Sequence, residues 1–494
     1  MRRSPRWYPL ACLLAGAVAG LHSCTNPDDD SPSSSGGSGL LPSPILARIS
    51  QDPGWALLNT HAVVERRIQF DPPMDSPVAI LLEEDLVIAQ GMTAGVWRLS
   101  SGQREQVLTP DGYQVQSIQR LAGTQRFIIA SKNPALIAGA SSSTSSSSSS
   151  AGGPTSSSSS SSTSSSSSSS GGAEVAYHML SVFEIVDGSV QTVAHWPVPL
   201  PNEYLSFGAV GPDDVVIRRV PNQEQTGLQL WLLDLRDGGL SLIHELPAGG
   251  FVPSMAVHLP TRRLALDVAN SQDVERVKHL TVVNMDTGEV SEDRAGWELA
   301  GSGTVTDAMT PVWFILDEND AVRPWEPWNA AEPAGPLVNG RAGTRVGARG
   351  DHVIVSWTQD APTGTEVWRW SDRQRLLLIH SPSTGFTAVD YVLRLSRDGT
   401  RALVKQDRFS GDVGLPSVYR VVSPDGEVTR VENVWPSHAP GPIFMGYAQL
   451  PTVESPNVTQ SIFSFDEETG QLNRVRDVAA EEGLQQLVLP GWVY

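Results

Sequence analysis

One local pattern recurs along this chain: an alternating strand that runs into a turn of Asp, Gly and Ser. It appears as VWRLSSG at 96–102, VFEIVDG at 182–188, LWLLDLRDG at 230–238, LTVVNMDTG at 280–288, VWRWSD at 367–372, VYRVVSPDG at 418–426 and IFSFDEETG at 462–470. Alternation of apolar residues marks a strand with one face on a core, and the turn residues suit a hairpin. Upstream of most hairpins lies a second strand pair. The segments 391–396 and 401–404 flank Arg397-Asp398-Gly399-Thr400, and 254–259 matches 263–268. Segments 115–121 and 125–131, 204–210 and 215–220, and 78–82 and 86–90 repeat the arrangement. The unit is a four-stranded meander, strands A and B followed by C and D.

The hairpins start at 182, 230 and 280, and again at 367, 418 and 462. Four strands in about 40–50 residues is the period of a propeller blade. The expected fold is all-β: a single β-propeller over 55–494 with about eight four-stranded blades, seven being the alternative count. A shortened blade is expected between 280 and 367, from strands at 303–307, 311–316 and 321–325. Residues 485–494 are placed to pair with the opening strand and close the ring. The run RLSRDGTRALV at 394–404, followed by the VYRVV hairpin, resembles the repeat of TolB/WD40-like β-propellers. That resemblance spans about 75–480 and implies the fold. The extra domain that precedes the propeller in TolB has no counterpart here.

Composition fits strands and turns, with 18% charged residues beside 44 Gly and 36 Pro. A net charge of -19 argues against a nucleic-acid partner. Two cysteines, Cys12 and Cys24, exclude a disulfide framework and a Cys-rich metal site. The first residues read as an address. Arg2, Arg3 and Arg6 precede a short apolar stretch at 7–20 that is too short to span a bilayer.

Leu21-His22-Ser23-Cys24 then resembles the bacterial lipobox, with His22 where a small or aliphatic residue is usual. The resemblance implies cleavage before Cys24 and its lipidation, which would hold the protein to the cell envelope. Several acyl chains, at about 0.8 kcal/mol per buried CH₂, anchor where one chain does not. Thr25 in place of Asp favours the outer membrane by the same analogy. Cleavage after Ala17-Val18-Ala19, giving a soluble protein, is the alternative. The expected organisation is a signal peptide at 1–24, a flexible Ser/Gly/Asp tether at 25–54 and the propeller at 55–494. A serine-rich insertion at 141–172 should be disordered within it.

Alternate strands run oppositely, so the B–C loops and the D–A connections emerge on one face. The insertion and the segments 270–278 and 407–415 read as B–C loops, which makes that face the expected contact surface. His195, His244 and His380 each close a strand D, where they read as strand-end polar groups set far apart on outer strands. Arg349-Gly350-Asp351 spells an adhesion tripeptide but falls where an A–B turn is due. Trp97, Trp231 and Trp368 share one place in strand C and should pack between blades.

Trp325 and Trp328, near Pro324 and Pro327, break the repeat and are the candidate exposed contact. No nucleophile elbow, His-Glu-x-x-His, phosphate loop or Cys-His ligand spacing occurs. The expected function is a non-catalytic, lipid-anchored envelope module for a protein or glycan partner, without metal or cofactor. The alternative is a propeller hydrolase or lactonase whose metal ligands converge on the central channel.

Overall fold

The computed structural model describes residues 45–488 apart from 51–54, 69–77, 83–84, 91–92, 99–103, 109, 122–123, 144–175, 188, 201–204, 221–226, 248, 271–278, 307–309, 327–333, 340–343, 358–363, 381–386, 411–412, 435–442 and 448–458. Cys24 and Trp328 lie outside the described residues, as does the insertion apart from 141–143.

Strands hydrogen-bond in chain order, as four-stranded meanders should. Sheets 2 to 5 take residues 78–108, 114–198, 205–245 and 250–295. Sheet 6 has eight strands over 298–380, sheet 7 four strands over 387–434, and sheet 8 three strands over 443–477. Sheet 1 combines Ile45–Ile49, Trp55–Leu58 and Val64–Ile68 with Leu484–Val488 from the other end of the chain. Sheet 6 is two meanders, and the first of them is the shortened unit expected there, ending in the two-residue strand Val338–Asn339.

The recurring turn has a local cause, seen at Asn284. Its Oδ1 accepts from the backbone N–H groups of Asp286 (2.8 Å) and Thr287 (3.1 Å), and Gly288 N–H closes onto the Asn284 carbonyl at 2.9 Å. Gly288 has φ +70°, which favours glycine. A Cβ on it would also stand 2.9 Å from the carbonyl oxygen of Ile243 in the preceding sheet. The repeat glycine therefore turns the hairpin and lets neighbouring sheets touch.

The core is divided the same way. Leu230, Leu232, Met255 and Leu264 fill the space between sheets 4 and 5. Leu180, Val182, Phe207 and Ile217 fill that between sheets 3 and 4. Ile45, Ala47, Ile443 and Ile462 join sheet 1 to sheet 8. Each fully buried aliphatic side chain contributes roughly 1.5–3 kcal/mol, so the sheets cohere through their faces. Meanders packed face to face in sequence order, with the last strand of the chain inside the first sheet, make this a β-propeller.

First strands of successive sheets lie close together. The Gln119 amide bridges to sheet 4, donating to the Phe207 carbonyl (2.6 Å) and accepting from Ala209 N–H (2.7 Å). Ser254 Oγ donates to the Leu299 carbonyl at 3.2 Å. Within sheet 6 the approach is closer still, and Glu298–Val305 pairs in parallel with Thr344–Arg349 through Gly301↔Val346 and Gly303↔Ala348. A Cβ at Gly301 would overlap the Val346 carbonyl oxygen.

Three expectations are corrected. The tether expected at 25–54 includes Ile45–Ile49, a strand with buried Ile45, Leu46, Ala47 and Ile49 that pairs with both Trp55–Leu58 and Leu484–Val488. Its apolar side chains outweigh the flexible composition around it. The stretch before the serine run is a helix, Pro134–Ser143, which takes in 141–143. Asn133 Oδ1 caps it by accepting from Ala135 N–H (3.2 Å) and Leu136 N–H (3.3 Å), with Pro134 beside the cap. Segment 407–415 is not a long loop, because Ala402–Ser410 and Val413–Ser423 run on as paired strands to 410 and 413.

The Gly301→Ala variant should lose about 2–4 kcal/mol of unfolding free energy in urea titration, from clash with a fixed backbone oxygen. Gly347→Ala, on the partner strand with open space at its Cβ position, should stay within about 0.5 kcal/mol of the parent.

Candidate functional site

Sheet 7 buries an ion pair on one face and leaves an aromatic ring exposed on the other. Its second strand, Ala402–Ser410, begins with the apolar Ala402, Leu403 and Val404, then reads Lys405, Gln406, Asp407 and Arg408 toward the B–C end. Strand alternation sends these polar side chains to opposite faces.

On the face toward sheet 6, Val404 and Val422 pack with Val367, Leu377 and Ile379. Toward the B–C end that face turns polar. Asp390 sits directly opposite Gln406, whose Nε2 donates to its Oδ1 at 3.1 Å. Arg420 Nη2 donates to Asp390 Oδ2 at 2.7 Å, and both side chains are almost wholly buried. Gln406 Oε1 and Arg420 Nε are buried with no partner. Ser356 and Thr365, hydroxyl to hydroxyl at 2.9 Å, share their face of sheet 6 with Ile354 and Val367. One free acceptor and one free donor at a buried ion pair are unusual, because each unmet polar atom costs about 1–3 kcal/mol.

On the face toward sheet 8, Leu403, Tyr419 and Val431 pack with Phe444, Phe463 and Phe465. Nearer the inner edge, Tyr391 stands opposite Lys405, whose Nζ lies 6.0 Å from the ring centroid. Lys405 Nζ is 3.1 Å from both carboxylate oxygens of Asp407, and Ser417 Oγ donates to Asp407 Oδ1 at 2.6 Å. Crowding around the phenol, and then the negative charge of Asp407, push the Tyr391 pKa up. The ring itself is 45% exposed. This face of sheet 7 therefore offers an open aromatic ring beside a neutralised ammonium–carboxylate pair.

No protein-family profile matches this sequence, and neither does any curated protein sequence. Among solved structures, a chain from a study of two prolyl endopeptidases is similar with a TM-score of 0.36 and 8% identity, covering 80% of this chain and 52% of that one. A chain of the mitotic checkpoint complex is similar with a TM-score of 0.31 and 13% identity, covering 54% of this chain and 74% of that one. The chain thus spans about half the length of the prolyl endopeptidase it matches.

Trp325 is not the exposed contact that the sequence suggests. It is 1% exposed, with its ring edge-on to Trp297 (5.7 Å) and Trp313 (6.2 Å) in the core between sheets 5 and 6. The prolines interrupt the repeat's spelling, yet Trp325 ends the strand Ala321–Trp325 and turns inward. Trp231 does pack half-buried between sheets 3 and 4, and Trp368 between the two meanders of sheet 6, and each indole N–H finds an acceptor two residues earlier, Gln229 Oε1 (3.3 Å) and Glu366 Oε2 (2.9 Å). Arg349-Gly350-Asp351 is the expected turn, and both Asp351 oxygens are held by Ser371, at 2.7 Å from its N–H and 2.8 Å from its Oγ.

His195, His244 and His380 lie on the outer strands Ser189–Val198, Leu240–Glu245 and Arg375–His380. No group of three His, Cys, Asp or Glu side chains is placed to hold a metal ion among the described residues. His258, buried beside Thr261, has its pKa pushed down to about 4 by burial and then by the charge of Arg263.

Neither polar group of sheet 7 is spelled out as a motif. The available signal was four consecutive charged or amide side chains at 405–408, inside a strand whose neighbours alternate as core. The Arg420→Met variant strands the Asp390 carboxylate and should cost about 3–5 kcal/mol in chemical denaturation. Replacing Asp390 by Asn together with Arg420→Met should recover much of that loss. His258 holds its neutral form in the fold while the unfolded chain protonates near pH 6.5. Stability should therefore be full above that pH and fall toward pH 4, by on the order of 2 kcal/mol, and His258→Asn should flatten this part of the acid titration.

Proposed function

We propose that this protein is a lipid-anchored β-propeller of the bacterial cell envelope that binds a protein or glycan partner without catalysing a reaction on it. The anchor is Cys24 in its lipobox-like context, with the outer membrane as the favoured location. Contact is made on the face bearing the B–C loops. The observation that carries this reading is the open Tyr391 beside the Lys405–Asp407 pair on the sheet 8 side of sheet 7. Arg126–Lys132 and His178–Val186, the antiparallel strands that the long insertion joins, have their joined ends on the face of the B–C loops. Rigid strands carrying variable loops and an exposed aromatic ring are the usual makings of a recognition surface.

Two measurements test the proposal. Cys24→Ser should move the protein from the membrane pellet to the soluble envelope fraction, and a parent protein already soluble would overturn the anchor. Capture from envelope extracts should yield a partner with the parent and lose it when the insertion at 141–172 and the loop at 271–278 are shortened together. A partner retained by that variant would overturn the assigned face.

A further inference from the structure

We propose that Tyr391, Lys405, Asp407 and Ser417 form a subsite for a neutral, hydroxyl-rich ligand, a hexose unit of a glycan. The inference rests on the binding-module reading above and names the class of ligand for one part of its surface.

Sheet 8 packs on the side of sheet 7 to which Tyr391 belongs. Among the described residues it has three strands, starting at Ile443–Gly446. Its phenylalanines pack with Leu403, Tyr419 and Val431 on the second, third and fourth strands of sheet 7, and Leu393 of the first strand is partly buried against them. Tyr391 belongs to the first strand, Thr387–Leu395, and is exposed. Its ring keeps a contact with Lys405 on one side while nearly half of its surface meets solvent.

The groups around the ring suit a sugar. The C–H-rich face of a pyranose is apolar and packs on an aromatic face, which is electron-rich. Beside the ring, the ammonium of Lys405 donates and the carboxylate of Asp407 accepts, 3.1 Å apart. Adjacent sugar hydroxyls each accept and donate, so two of them can engage such a pair together. A carboxylate has about four acceptor positions. Ser417 and Lys405 use some of those on Asp407 and leave room for a ligand hydroxyl. The Tyr391 hydroxyl, kept protonated at neutral pH, adds a donor at the edge of the ring.

Charge selects among hydroxylated ligands. Asp407 balances Lys405, so the subsite carries no surplus positive charge, and the whole chain is at -19. A phosphate, sulfate or uronate would approach an acidic protein without a free cation to receive it. A neutral sugar has no such penalty.

Calorimetric titration of the mature protein with maltohexaose, cellohexaose and N-acetylchitohexaose tests this, with polygalacturonate as the anionic counterpart. At least one neutral hexasaccharide should bind. Tyr391→Ala should weaken that binding roughly tenfold, and Lys405→Met should weaken it too, while Tyr391→Phe keeps the stacking ring and most of the affinity. Unchanged near-ultraviolet circular dichroism would establish that each variant is folded. The subsite is overturned if none of the three sugars binds, if Tyr391→Ala binds as the parent does, or if polygalacturonate binds better than all three. Failure here with capture of an envelope partner intact removes only the sugar subsite. Sugar binding without any captured protein would instead remove the protein half of the broader reading and leave the subsite standing.

Discussion

Sheets 3, 4, 5 and 7 each have two apolar faces, and that constraint shapes the rest. A meander such as sheet 5 packs Leu264 and Leu266 against sheet 4, and Ala265, Leu280 and Val282 against sheet 6. A free end of the row would leave one such face in water. Leu484–Val488 meets the problem by pairing with Ile45–Ile49, so that the last strand becomes the inner edge of the first sheet. Closure of this kind also hides backbone groups that an open edge would present.

Drawing the sheets together crowds their first strands, and the chain answers with residues that tolerate close approach. Gly301 and Gly303 allow two backbones to hydrogen-bond directly, while Gln119 and Ser254 reach across with side chains to neighbouring carbonyls. These contacts differ from blade to blade. The degeneracy of the repeat at its first strand follows, because the inner strand is chosen by its particular neighbour and the hairpin turn by its own backbone.

That contrast also governs how much could be read from sequence. The turns closing on Gly238, Gly288 and Gly470 follow local rules, with an Asp or Asn at the start and a left-handed glycine at the end, so the unit and its fold were legible. The opening strand at 45–49 was hidden because flexible composition surrounds it, and only pairing with residues far along the chain defines it. Trp325 looked exposed because Pro324 and Pro327 spoil the repeat nearby, whereas its burial depends on Trp297 and Trp313 from adjoining strands. The polar groups of sheet 7 were missed for the same reason. Asp390, Gln406 and Arg420 are spread over three strands, and register alone brings them together.

Register also explains why one sheet carries two different polar surfaces. Asp390↔Gln406 and Tyr391↔Lys405 are consecutive pairs, so one faces sheet 6 and the next faces sheet 8. A slip by one residue would exchange them, placing a carboxylate where the phenylalanines of sheet 8 gather and a tyrosine between the tightly packed valines. Two irregularities flank the pairs, one between Val392 and Arg394 and one between Gln406 and Arg408. Each takes up an extra residue and so limits sliding of the segment between them. A buried Asp–Arg pair adds little net stability compared with well-packed apolar residues, but it penalises every register that separates its partners. In sheet 7 the ion pair on the hidden face thus holds Tyr391 and Lys405 in the one register that sets the aromatic ring beside the ammonium–carboxylate pair.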